Sequence, residues 1–123
     1  MAQFNRKLKF EDVNADCIEK GMVVRVNEST IKHEIRSSRL HIKLGNEKHS
    51  DERLFELGCA IKLISVTTNT ETGEFLFDDD QLEYFTDNVP SVFLTNLMLA
   101  NNRVNPVDVE EVKKSLTVKK KST

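Results

Sequence analysis

The sequence predicts a mainly α-helical fold: a small helical domain with a short N-terminal β-hairpin or ribbon packed on it. Three observations predict it. Apolar residues recur at helical spacing across residues 54–66 and 92–100. A β-branched run, MVVRV at 22–26, directly follows Gly21, as a strand follows a turn. The 123 residues, 38% of them hydrophobic, match one core of ordinary domain size. Residues 1–116 are read as that single domain and residues 117–123, TVKKKST, as a disordered basic tail. With no Trp, one Tyr and seven Phe, the packing falls to Leu, Ile, Val and Phe.

The elements follow in order. Phe4, Leu8 and Phe10 alternate with Arg6, Lys7 and Lys9 and suggest one apolar strand face, paired with the strand at 22–26. Such a ribbon is marginal alone and must lean on a helix. Asn27 or Ser29 can cap a helix over 30–44, where Ile31, Ile35 and Ile42 are spaced for one face with Leu40 and Leu44 beside it. Gly45-Asn46 is its stop. Lys32, His33, Arg36, Arg39, His41 and Lys43 make this helix basic, a solvated face by default and a docking face for an acidic partner as the alternative.

Ser50 caps the next helix, with Asp51 and Glu52 at its positive end. Leu54, Leu57, Gly58, Ile61 and Ile64 form one stripe, widened by Phe55, Cys59, Leu63 and Val66, so burial on more than one side is expected. Gly58 costs about 1 kcal/mol against Ala in a helix interior. A closely approaching backbone would account for it. Residues 67–73 are polar and end in a turn, FLF at 75–77 is an apolar plug, and Asp78, Asp79 and Asp80 open a short helix over 80–86 with Leu82 and Phe85 inward. Pro90 sits at the first position of the last strong helix, where Val92, Phe93, Leu97 and Ala100 share a face extended by Leu94 and Met98. That helix is expected to stop at Asn101-Asn102. Asn105-Pro106-Val107-Asp108 then starts a weak helix over 107–116 carrying Val109, Val112 and Leu116.

The chemistry that would mark an enzyme is missing. Four glycines exist and none lies in a phosphate-binding pattern, and no Ser lies in a nucleophile elbow. The carboxylate groups Asp78–Asp80, Asp51-Glu52 and Glu110-Glu111 all lie at expected helix starts or on polar faces. No catalytic residue, no cofactor and no metal site is expected. His33, His41 and His49 lack carboxylates at ligand spacing, and the acidic triplet lacks the spaced acids and central Gly of a calcium loop. Cys17 and Cys59 have no CxxC partner, and Cys59 among Leu57, Ala60 and Ile61 reads as a buried thiol. The net charge of −2 makes the whole chain no electrostatic match for nucleic acid. No run reaches the roughly 18 apolar residues of a membrane span, and the basic N-terminus has no apolar segment behind it, so residence in the cytoplasm is expected. Two strongly apolar helical faces without catalytic groups point to a protein that works by binding.

The stretch 50–105 resembles the tail assembly chaperones of long-tailed, siphovirus-like bacteriophages. The resemblance rests on the Leu/Ile/Cys stripe at 54–66, the turn at Gly73-Glu74 with Phe75–Phe77 and Asp78–Asp80, then Leu82 and Tyr84-Phe85, and a helix over 92–102 closing on Asn105. Upstream, GMVVRV at 21–26 followed by Glu28-Ser29-Thr30 is similar to the family's strand and helix-start step. The basic ribbon before it and the His-rich first helix are not carried over. The resemblance implies a mainly helical protein that binds the tape measure protein, keeps it soluble during tail assembly in the host cytoplasm, and is absent from the mature virion. Self-association into a homo-oligomer, and a longer product made by ribosomal frameshifting, belong to the same expectation. Lys119–Lys121 could come from a slippery run or be a plain basic tail. The candidate partner-binding residues are Leu54, Leu57, Ile61 and Ile64 on one helix and Phe93 and Leu97 on another. Two other readings stand beside this one. A nucleic-acid-binding regulator would use Lys32, Arg36, Arg39, Lys43 and the basic tail, and a structural tail connector or terminator would stay in the virion.

Overall fold

The computed structural model describes residues 1–107. Among them are strands β1 (Phe10–Asn14), β2 (Val23–Asn27) and β3 (Thr67–Asn69), and helices α1 (Ile31–Gly45), α2 (Asp51–Val66), α3 (Leu82–Asn88) and α4 (Ser91–Val104). One 3-10 turn, Asp79–Gln81, leads into α3. The helix expected over 107–116 and the tail over 117–123 fall outside the described residues, apart from Val107.

The N-terminal element is a hairpin, as the β-branched run predicts. β1 and β2 pair antiparallel, with Val13 opposite Val24. Gly21 takes φ +79 in the connection, a conformation that favours glycine, and its N–H donates to Asp16 Oδ1 at 2.7 Å. The inward face differs from the expected one. Phe4, Leu8 and Phe10 are exposed, while Val13, Ala15, Val24 and Val26 are buried. The strand begins only at Phe10, and the two-residue period then turns Val13 inward and Phe10 outward. Phe10 instead lies under the Arg25 guanidinium, 4.0 Å from the ring centroid.

The sheet has a third strand that the polar sequence TTN does not announce. β3 pairs antiparallel with β2, with Val26 opposite Thr67 and Val24 opposite Asn69. It follows α2 without a break. Thr67 Oγ1 donates to Leu63 O at 2.7 Å, and Asn27 Nδ2 donates to Val66 O at 3.0 Å and to Thr68 Oγ1 at 2.9 Å. These bonds satisfy buried polar groups at the helix–strand junction, so threonines replace the usual apolar strand residues there.

The helices enclose one core built from Leu40 and Leu44 of α1, Leu57, Ile61 and Ile64 of α2, Leu82 and Phe85 of α3, and Phe93, Leu97 and Ala100 of α4. α4 packs on β1 and β2, and α1 runs against α2. Ser50 Oγ accepts from the Arg53 N–H at 3.2 Å, the cap expected for α2. Asp78 opens the turn before α3 with a capping box to Gln81, and Leu82 and Phe85 point inward as expected. Phe77 meets Phe85 edge-on at 5.1 Å, which seats the FLF plug.

Four local expectations are corrected. Thr30, not Asn27 or Ser29, is the N-cap of α1. Pro90 is the cap of α4 rather than its first residue. Cys59 is exposed, not buried, because it falls on the side of α2 turned from the core. α4 does not stop at Asn101-Asn102 but runs to Val104. The reason is Asn105: its Nδ2 donates to Asn27 O and to Asn101 Oδ1, both at 3.0 Å, and its Oδ1 accepts from the Ser29 N–H at 2.8 Å. The asparagine step therefore ties the end of α4 to the β2–α1 junction.

Candidate functional site

α1 presents two faces of opposite chemistry, and the one turned inward carries an arginine. Arg36 is 3% exposed. Its Nε donates to Asp79 Oδ1 at 2.9 Å, its Nη1 to Ile64 O at 2.9 Å, and its Nη2 to Phe77 O. The guanidinium also lies 4.1 Å from the Phe75 ring centroid. Arg39 joins from solvent, its Nε donating to Asp79 Oδ2 at 3.0 Å. Burial pushes the Asp79 carboxyl up, but hydrogen bonds from Arg36 and Arg39 and their charges outweigh it, so the net shift is down. The expectation of a solvated basic helix therefore fails at Arg36, which locks α1 to the end of α2 and to the loop before α3. Asp79 is an ion-pair acceptor as well as a residue of the opening turn.

The outward face of α1 is apolar. Ile31, Ile35 and Ile42 are 78%, 58% and 68% exposed, against the expectation that they form the packing face. With Ser38 they line a shallow depression at steps of four, three and four residues, flanked by Glu34 and Arg39. This 4-3-4 spacing is that of a coiled-coil seam, the row on which a second helix packs. Burial of Arg36 sets the rotation of the helix and so puts the isoleucines outside.

The candidate partner residues are distributed differently from the expectation. Leu57, Ile61, Ile64, Phe93 and Leu97 are all buried in the core, where their side chains hold the helices together. Leu54 alone of the six is part-buried at a surface, bordering a groove of about 1090 Å³ between α1, α2 and the end of α4. Exposed Phe55 borders the same groove. The stripe on α2 is broad, as read from sequence, but its breadth is shared between core and groove.

Gly58 does not mark a close backbone. A Cβ there would meet only His41 Cε1, at 3.8 Å, an ordinary contact. His33 accepts from the Thr30 N–H at Nδ1, 3.1 Å away, and burial, with the Lys32 charge, pushes its pKa down towards the neutral ring that this bond requires. Among the described residues one group of three possible metal ligands comes together: atoms of Glu47, His49 and Glu83 lie within 4.8 Å of one another, and both glutamates are exposed. No helix among the described residues is long and apolar enough to cross a membrane.

The described residues form a small helical domain with a three-stranded sheet, an apolar row on α1 and an open groove beside it. No protein-family model matches the sequence, and no curated protein is similar to it. The fold is similar to a solved structure, that of the bacteriophage HK97 tail assembly chaperone. The TM-score is 0.52 at 19% identity, covering 88% of this chain and 91% of that one. The likeness lies in the fold.

Proposed function

We propose that this chain is a phage tail assembly chaperone that binds the tape measure protein and keeps it soluble while the tail is built. One observation carries the reading: the exposed Ile31, Ile35 and Ile42 row on α1, an apolar seam on a fold similar to a tail assembly chaperone. A long helical partner with a heptad apolar row would lay that row against the seam and remove both surfaces from water. Glu34 beside the row supplies a charge that sets register. On this reading the protein works in the host cytoplasm and leaves before the virion matures. Copies of the chain, including any longer frameshifted form, associate through apolar surface of the same kind. The basic residues of α1 support the nucleic-acid alternative less well, because Arg36 is buried and both Arg36 and Arg39 are paired with Asp79.

The test is co-elution with purified tape measure segments at about 10 µM, a concentration that detects Kd values near 1 µM. The wild-type chain is expected to co-elute, and the Ile35→Glu/Ile42→Glu variant to elute alone with an unchanged melting curve. Absence of wild-type co-elution across the whole tape measure sequence sinks the proposal, and equal binding by the variant moves the site off α1. Retention of the protein in purified virions would favour the structural tail component.

A further inference from the structure

We propose that Glu47, His49 and Glu83 form a binding site for a first-row divalent metal ion, with zinc as the best fit. Glu47 and His49 lie on the link between α1 and α2, and Glu83 lies in the first turn of α3. Sequence spacing shows no such set, because Glu83 reaches the pair only through the packing of α3 on α2. One donor atom of each residue lies within 4.8 Å of those of the other two. Tetrahedral zinc holds nitrogen and oxygen ligands at about 2.0–2.2 Å, which sets them about 3.4 Å apart. The cluster therefore closes on an ion by movements of about 1 Å, within the rotamer freedom of two exposed glutamates.

Two observations ask for a cation there. The His49 side chain is 15% exposed, yet its Nε2 is buried without a hydrogen-bond partner among the described residues, 3.9 Å from Glu47 Oε2. A covered ring nitrogen without a partner is unfavourable, and a metal–nitrogen bond removes that cost. The carboxylates are also short of positive charge. Among the described residues Glu83 makes no ion pair and Glu47 makes only the contact with His49. Lys43 lines the same small depression but reaches ion-pair distance of neither, and Leu40, Leu44, Leu57 and Leu82 make the depression apolar. Two like charges side by side on such a surface are unfavourable without a cation. The donor set selects the ion: one imidazole and two carboxylates suit zinc and its neighbours, whereas calcium and magnesium take oxygen ligands. Three protein ligands leave the fourth position to water. An ion held there ties the α1–α2 link to α3, beside the turn that Arg36 already holds through Asp79. The three ligands share no residue with the isoleucine row of α1, so this proposal and tape measure binding stand or fall separately.

Calorimetric titration of the full chain with zinc chloride tests the site. One ion per chain is expected, with a Kd of about 10 µM. At about 100 µM zinc the melting midpoint should then rise by about 4 °C. Glu83→Gln and His49→Ala should each weaken binding about tenfold or more, since each removes a direct ligand. Glu83 is exposed, so Glu83→Gln without zinc should melt like the wild type, and its lost affinity then cannot come from unfolding. His41→Ala, which removes a histidine outside the cluster, should bind zinc as the wild type does. Absence of zinc binding at about 100 µM overturns the proposal. Equal binding by Glu83→Gln, or loss of binding in His41→Ala, overturns it as well. Calcium at about 1 mM should leave zinc in place, and full displacement would reduce the cluster to an acidic patch and overturn the proposal.

Discussion

Each face of α1 departs from the usual sorting of side chains at one feature, although Leu40 and Leu44 point inward as expected. The inner face buries Arg36 and the outer face leaves three isoleucines in water. Inside, each of the three guanidinium nitrogens finds an acceptor: a carboxylate and two backbone carbonyls take their hydrogen bonds, and an aromatic ring lies against the plane. Outside, nothing among the described residues covers the apolar row. A buried charge with complete partners fixes one rotation of the helix, because any other rotation strands the guanidinium. An uncovered apolar row is unfavourable in water and becomes favourable only when something packs on it. The comparison separates what holds the domain together from what the domain offers to other molecules.

The largest expected effect comes from removing the inner anchor. Arg36→Met keeps an unbranched apolar stem but leaves Ile64 O and Phe77 O without their donor and Asp79 with Arg39 alone. A loss of about 3 kcal/mol in urea unfolding is expected, at the low end of the range for a broken buried pair because the Asp79 side chain is 38% exposed. A loss below about 1 kcal/mol would show that the pair is no more than a surface ion pair. The rotation of α1 would then need another cause.

Acid should weaken the same anchor next. The Asp79 carboxyl is held below its ordinary 3.8 in the folded chain, so the unfolded chain binds more protons as pH falls. Its stabilising contribution is fully present above about pH 4 and fades below it. Glu28, lowered to about 2 by the Arg6 hydrogen bond and the Lys9 amide, behaves alike between its ordinary 4.5 and about 2. Asp79→Asn should flatten the acid limb of a stability–pH curve. An unchanged limb would assign the acid sensitivity to Glu28 and other carboxylates.

The groove side offers a smaller effect of opposite sign. Gly58→Ala should stabilise the chain by about 0.5–1 kcal/mol, since helix propensity improves and the new methyl meets only an ordinary contact. Destabilisation in a thermal melt would mean that something passes close over Gly58 in the full chain.

These regions were unequally legible in the sequence. The hairpin at MVVRV, the Ser50 cap, the inward Leu82 and Phe85, and the Phe93, Leu97 and Ala100 part of the α4 face follow from local spacing and capping, whereas Val92 and Met98, read onto that same face, are exposed. The rotation of α1 does not follow from spacing, because its five aliphatic residues spread over more than half the helix circumference. Only the tertiary position of Asp79, 43 residues away, decides which part goes inside. β3 was hidden for a related reason: its threonines are buried by bonds to Asn27 and Leu63 rather than by apolarity. The partner residues were drawn from the strongest apolar stripes, and those stripes are what the core uses first. A row left over, such as Ile31, Ile35 and Ile42, is recognisable only after the core has been assigned.

The smallest expected change in stability tests that leftover row. Ile35→Glu replaces an apolar side chain that is 58% exposed, so the folded chain loses little burial and gains no unpaired buried charge. Surface substitutions of this kind fall within about ±0.5 kcal/mol. Glutamate is a better helix former than isoleucine, which trims the loss further. Its new carboxylate sits between Glu34 and Arg36 in sequence, with Arg39 four residues on, and a Glu placed four before an Arg contributes about 0.3 kcal/mol on a helix surface. Melting at low protein concentration should therefore be unchanged. Sedimentation at high concentration should differ, with any species larger than the 14.1 kDa chain shifting towards monomer. A large stability loss in the dilute monomer would break the comparison at its outer half: the isoleucine face would then be packing against the domain itself, and the coiled-coil seam would have to be sought elsewhere.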